Sequence, residues 1–190
     1  MALVAVALGA APGSFAHDPE QQAQRVSIRT SVPLSSETPP SPLGSAEALP
    51  MADHIVVRKA LRRMYLMRGN VVLRSYKVAL GLNPVGQKER SGDYRTPEGR
   101  YLLTRRNPHS DYFLSIQVSY PNDADLLRAR RHHWDAGGSI MIHGLPNRMQ
   151  RPPGYYERYD WTDGCIAVSD SDMLEIWLMT GERTPIDILP

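Results

Sequence analysis

Cys165 is the only cysteine among 190 residues, and it stands in the stretch "DWTDGCIAVSD" between a glycine and an isoleucine. It has no partner for a disulfide within the chain, so its chemistry is that of a free thiol. Such a group is a nucleophile when ionised and a small inert hydrophobe when buried in apolar surroundings. At an ordinary pKa of ~8.5 a thiol is only a few per cent ionised at neutral pH, so a working nucleophile needs a proton acceptor beside it. His143, which ends the apolar run "GGSIMIH", is the best candidate. A strand end holds a side chain in a defined direction, and the long segment that follows can fold the two residues together. A core histidine satisfied by backbone is the competing reading. One cysteine with one distant histidine is a pattern of covalent catalysis, though it does not single out a reaction. A zinc site built from Cys165, His143 and the adjacent His132 and His133 is the weaker alternative. Adjacent histidines rarely reach one metal together, and no second cysteine or His-x-x-x-His spacing is present. No metal and no other cofactor is therefore expected.

The elements that must position these residues lie after Pro50. "HIVVRKALRRMYLM" and "VVLRSYKVALG" are rich in β-branched and aromatic residues and read as a hairpin turning at "RGN". "TPEG" suits a β-turn with Pro97 presetting its second position. Strands are expected at Tyr101 to Thr104 and at Tyr112 to Tyr120. A helix follows in "NDADLLRARRHHW" with Asn122 as N-cap, then a short strand ending at His143. The next stretch, "LPNRMQRPPGYYERYDWTDG", is too long and too rich in Pro, Tyr and Arg for a simple connection. Its Tyr155, Tyr156, Tyr159 and Trp161 either pack the loop onto the sheet or form a lid over a ligand. "SDSDMLEIWLMTG" reads as a helix with Ser169 as N-cap, Asp170 and Asp172 at its positive end and Gly181 as its stop. "TPIDIL" closes the chain as a strand. On this reading the start of the last helix lies just beyond Cys165, where its partial positive charge favours the thiolate. Gly164 lets the backbone approach a substrate closely. The whole is a mainly β domain with one or two helices.

An apolar content of 42% with 22% charged residues suits a soluble globular domain, and a net charge of +2 is too small to argue for nucleic acid. The basic run "RARRHHW" reads as a solvated helix face; local attraction of carboxylates through Arg128, Arg130 and Arg131 is the alternative. Residues 1–16 begin with an uncharged apolar run too short to span a membrane and end in small residues that suit cleavage before His17. They read as a signal sequence without its basic leader. Residues 17–51, rich in Gln, Ser, Thr and Pro, read as a disordered linker, and residues 52–190 as the folded domain. The protein is expected to be exported, to carry no membrane span in its mature domain, and to be a monomer. In an oxidising compartment an unpaired thiol risks oxidation, so its retention fits a reactive role.

Taken together, "IMIHG", "DWTDGCIAVS" and the upstream "SGDYRTPEGRYLL" resemble, in order, the signatures of the L,D-transpeptidase catalytic domain family (YkuD-type). The resemblance spans most of residues 53–190. It implies a mainly β, sandwich-like catalytic fold and a cysteine enzyme of the periplasm or cell envelope that acts on peptidoglycan stem peptides in cell wall biogenesis and cell shape. It makes Cys165 the nucleophile, His143 the general base and the Gly144 carbonyl the group that orients the imidazole. Gly164 and Cys165 N–H groups become candidates for an oxyanion hole, and Thr162 takes the signature's hydroxyl position. Trp161, Tyr156 and Arg158 are expected to join Gly164 and Thr162 in substrate binding. Two positions depart from the pattern. Asp163 stands where many members have His or Ser, placing a negative charge beside the thiol. Ala167 stands where many have Arg, a loss that Arg148, Arg151 or Arg158 could offset. The implied reaction passes through a thioester to an amine acceptor. The alternatives are an L,D-carboxypeptidase that uses water and a binding module without turnover.

Overall fold

The apolar stretch from His54 to Met67 folds as two strands rather than one. The computed structural model describes residues 48–190; the expected signal sequence and most of the expected linker lie outside the described residues. Strand β1 (His54–Arg58) turns back into β2 (Arg63–Arg68), with Arg62 at φ 51° and its N–H donating to the Lys59 carbonyl at 3.1 Å. The reason lies at Lys59, which continues the inward parity of Ile55 and Val57 and is only 2% exposed. Its ammonium donates to the carbonyls of Gly86 (2.6 Å) and Thr96 (2.8 Å) and to the Glu98 carboxylate (2.8 Å). Burial pulls the Lys59 pKa down while Glu98 opposes that pull, and the three acceptors make the burial tolerable. This residue pins the loop of residues 83–98 to the end of β1, and so breaks the strand. The expected turn at Gly69 then leads into β3 (Val71–Lys77).

The remaining elements are β4 (Gly99–Ser110), β5 (Phe113–Val118), α1 (Asp123–Arg131), β6 (Met141–His143), α2 (Pro153–Arg158), β7 (Ile166–Ala167), α3 (Asp170–Met179) and β8 (Pro185–Leu189). The strands form one mixed sheet in the order β3-β2-β1-β8-β4-β5-β6-β7. Pairs β1–β8 and β6–β7 are parallel and the others antiparallel. The 12-residue β4 is the shared element: Gly99 to Leu102 pair with β8 and the stretch from Leu103 to Ser110 with β5. Two isolated bridges, Ala79 to Ala167 and Gly81 to Thr162, bring the chain leaving β3 against β7 and the turn before it. That contact supports the short strand that follows Cys165.

Ile55, Val57, Met64, Leu66, Leu103, Ile142 and Ile186 fill one core with Met173, Ile176 and Met179 of α3. Each fully buried aliphatic side chain contributes about 1.5–3 kcal/mol. Asn122 caps α1 with a full capping box, Asp125 answering from the third position, and Ser169 Oγ caps α3 by accepting from Asp172 N–H at 3.1 Å. The helix count and one stop differ from expectation. Among the described residues there are three short helices, because the six residues of α2 inside the long loop have too little apolar periodicity to register, although Pro153 in its first turn suits a helix start. Helix α3 ends at Thr180 in extended conformation, with the Arg106 guanidinium on the carbonyls of Thr180 and Trp177, so Gly181 is not its stop. Among the described residues no helix is long and apolar enough to cross a membrane.

Candidate active site

The parallel pairing of β6 with β7 places His143 opposite Ala167 and Ile142 opposite Ile166. Side chains alternate across a strand, so continuing this register by one step puts Cys165 and His143 on the same face as diagonal neighbours. Both line one cleft of about 640 Å³, together with Ser139, Tyr112, Asn107 and Asp163. His143 is 4% exposed. Its Nδ1 lies 2.7 Å from the Gly144 carbonyl, and its ring packs against Tyr112 (centroids 4.6 Å apart) and edge-on to Trp161 (5.6 Å). The next peptide is held as firmly: Gly144 N–H donates to Tyr112 and Leu114 carbonyls, and Leu145 N–H donates to Asp170 Oδ1 at 2.8 Å. A Cβ at Gly144 would lie 2.5 Å from Asp170 Oδ1 and 3.0 Å from Phe113 Cβ. Glycine is required there by space rather than by φ.

Burial pushes the His143 pKa down to about 4, with the Gly144 hydrogen bond working against it. Burial likewise pushes the Cys165 thiol up, Asp163 adds to that rise, and the Met141 N–H and the charge of Lys88 oppose it. The resting site is therefore a neutral thiol beside a neutral imidazole. The Cys165 thiol donates to the Ser139 carbonyl at 3.6 Å. The start of α3 does not follow directly on Cys165. Strand β7 and the cap Ser169 intervene between Cys165 and α3, and the field of a helix end falls off within about one turn.

The backbone ahead of the thiol is shaped by a shelf beneath it. Gly164 has φ +130°, and a Cβ there would meet the Arg95 carbonyl oxygen at 2.6 Å. A Cβ at Gly81 would meet the Tyr94 carbonyl oxygen at 2.1 Å. Three backbone segments thus meet in contact, and Thr96, fully buried, accepts Gly81 N–H on its hydroxyl at 3.0 Å. Asp93 stiffens the shelf by accepting from the buried Lys88 ammonium at 2.7 Å and from the N–H groups of Glu89, Arg90 and Arg95. Thr162 closes the turn: its hydroxyl donates to the Cys165 carbonyl at 2.8 Å and accepts Gly164 N–H at 3.2 Å. Of the two expected oxyanion donors, Gly164 N–H is thus already engaged, whereas Cys165 N–H has no protein acceptor among the described residues.

Residues 52–188 match the family described as YkuD: L,D-transpeptidase catalytic domain. The chain belongs to the L,D-transpeptidase catalytic domain family. YafK from Escherichia coli (strain K12) is 31% identical over 122 residues, which cover 62% of this chain and 46% of YafK. The helical cell shape determining protein Pgp2 from Campylobacter jejuni matches with a TM-score of 0.52 at 24% identity, over 74% of this chain and 50% of its own. An L,D-transpeptidase from Xylanimonas cellulosilytica matches with a TM-score of 0.50 at 14% identity, over 73% of this chain and 61% of its own. At these identities the structural likeness speaks for the fold alone. The chain spans about half the length of YafK and of Pgp2.

The L,D-transpeptidase-family domain gathers most, but not all, of the residues expected at its site. Cys165, His143, Thr162 and Trp161 line the same cleft, and Gly144 and Gly164 shape its backbone. Tyr156 is buried and works mainly in packing: its hydroxyl accepts the N–H groups of Gln150 and Arg151, and its ring meets Trp161 edge-on at 5.1 Å. Tyr159 is 58% exposed. Arg158 is not brought to Cys165; with Arg62 and Asp160 it lines a separate depression. The exposed His132 stacks on Trp134 instead of facing the thiol. Sequence reasoning passed over Tyr112, Ser139 and Lys88, because each reads locally as an ordinary strand or loop residue. Only the meeting of β5, β6 and the shelf gives them a place near the thiol.

Proposed function

We propose that this domain is an L,D-transpeptidase acting on peptidoglycan stem peptides in the cell envelope, as an exported monomer. The observation that carries the reading is the single cleft shared by Cys165 and a His143 whose Nδ1 is held by the Gly144 carbonyl. A carbonyl can only accept, so Nδ1 bears the hydrogen and Nε2 is the basic nitrogen. With the imidazole held near 4 and the thiol raised, an ion pair formed ahead of attack is disfavoured at both ends. The proton therefore passes from Sγ to Nε2 as Sγ bonds to the carbonyl carbon between an L residue and the terminal D-alanine. Cys165 N–H donates to the developing oxyanion. The carbon–nitrogen bond then breaks, Nε2 returns its proton to the departing D-alanine amine, and a thioester remains on Cys165. An acceptor amine attacks that thioester, gives its proton to Nε2, and the thiol re-forms as the new amide is released.

Incubating the full chain with a disaccharide-tetrapeptide, beside a Cys165→Ala control, tests this by mass spectrometry. A covalent adduct and a crosslinked product, both absent from the control, are expected. Tripeptide and free D-alanine without crosslink would replace the transfer reaction by hydrolysis. A folded protein that forms neither adduct nor product would overturn the reading in favour of a binding module.

A further inference from the structure

Beside the cleft of Cys165 lies a second one of about 750 Å³; Asp111, Tyr112 and Trp161 line both, and Tyr112 and Trp161 pack against the His143 ring. Its lining includes Arg148 and Arg151, both exposed, and neither makes an ion pair among the described residues. The backbone that bears these two is nevertheless fastened at both ends. Asn147 N–H donates to the Asp111 carbonyl at 2.9 Å, and its side chain bonds Ser110 O and Phe113 N–H, each at 2.9 Å. At the other end, Gln150 and Arg151 N–H groups both donate to the Tyr156 hydroxyl. The Arg151 guanidinium also sits 5.8 Å from the centre of the Tyr155 ring. Two guanidinium groups without ion pairs, on an anchored backbone and one wall away from His143, make a receptor for an anion. A guanidinium fork matches a carboxylate in two parallel hydrogen bonds.

We infer that this second cleft is the amine-side subsite, in which Arg148 and Arg151 take the α-carboxylate of the residue whose amine leaves or enters. The inference rests on the proposed function, which supplies the reason for one site serving both partners. Departing and attacking amines exchange protons with the same Nε2, so they occupy the same side of the thioester. The departing D-alanine carries a carboxylate on the carbon that bears the reacting nitrogen. An acceptor centre built as an α-amino acid carries one in the same place. Arg148 and Arg151 are thus specificity-determining residues.

The test compares a stem tetrapeptide ending in D-alanine with its C-terminal carboxamide, and D-alanine with D-alaninamide as acceptor. Binding of the tetrapeptides to full-length Cys165→Ala protein is measured by calorimetry, and turnover is measured in the native chain. Expected is tighter binding of the carboxylate by about 10- to 100-fold, as for a charge-assisted bidentate contact. Arg148→Gln and Arg151→Gln should remove that preference, raising KM for the carboxylate and leaving KM for the carboxamide and kcat unchanged. The two acceptor forms show whether the incoming amine uses the same contact as the departing one; discrimination in the donor arm only would overturn the shared subsite. Equal binding of both tetrapeptide forms, or losses in the variants that ignore the carboxylate, would overturn the inference even if an acyl-enzyme forms. Carboxylate discrimination without any acyl-enzyme in the native chain would instead uphold the subsite and overturn the transpeptidase reading.

Discussion

His143 Nδ1 lies 2.7 Å from the carbonyl oxygen of Gly144, the very next residue, and this contact assigns the roles of the two imidazole nitrogens. It takes the place that a buried carboxylate holds in a Ser-His-Asp triad, orienting the ring through a neutral acceptor. The ring gains direction without a negative charge to raise its basicity, and burial then dominates its titration.

Gly144→Ala should separate geometry from stability. The added Cβ would lie 2.5 Å from Asp170 Oδ1, which already accepts Leu145 N–H, so the peptide must shift and carry the carbonyl away from Nδ1. Expected are a fall in kcat of at least ~10-fold and a loss of about 1–3 kcal/mol in urea unfolding. Unchanged kcat would mean that the carbonyl does not orient the base.

The thiol should react as a half-buried, neutral one. Because burial raises Cys165 and lowers His143, the rate of iodoacetamide alkylation should climb steadily with pH through the ordinary thiol range, following the thiolate fraction. A plateau between pH 5 and 8 would instead mark a preformed thiolate–imidazolium pair. Asp163→Asn, which removes a charge that raises the thiol, should speed alkylation by about 2- to 3-fold at low salt, an effect that 0.5 M salt reduces.

His143 also ties stability to pH. It titrates near its ordinary 6.5 in the unfolded chain and near 4 in the folded one, so between these values only the unfolded state binds the proton. Its effect on stability is therefore neutral above pH 6.5 and becomes increasingly destabilising down to about pH 4, where it levels off near 3 kcal/mol. Urea unfolding of the native chain and His143→Gln at pH 7 and pH 4.5 would measure it. The native chain should lose more stability than the variant over that interval; parallel losses would contradict the shift.

Thr162→Val keeps the shape and removes two hydrogen bonds, one to the Cys165 carbonyl and one from Gly164 N–H. At this 4% exposed position the cost should be about 1–3 kcal/mol, with slower acylation because the thiol turn loosens. Hydrogen exchange at Gly164 should rise by at least ~10-fold; unchanged exchange would show that the hydroxyl does not hold the turn.

Much of this protein was legible from the chain because the signals were local. Asn122 and Ser169 cap their helices from within one turn, and the closing run "TPIDIL" reads as a strand through its own β-branched residues. Cys165 with His143 announces thiol chemistry by residue type. Other features depended on residues far away in sequence. The break between β1 and β2 follows from Lys59 finding acceptors in the shelf 27 to 39 positions later. The titration of Cys165 answers to burial, to the Met141 N–H, and to the charges of Asp163 and Lys88, and Lys88 and Met141 stand far from it in sequence. Arg148 and Arg151 face the second cleft while Arg158 lies elsewhere, because α2 and Tyr156 set the path of the loop. Residue type determined which candidate chemistry the chain offers, a free thiol with a histidine. The pairing of β6 with β7 on a folded sheet decided its geometry and electrostatics, since burial and the approach of charges exist only once distant segments have packed.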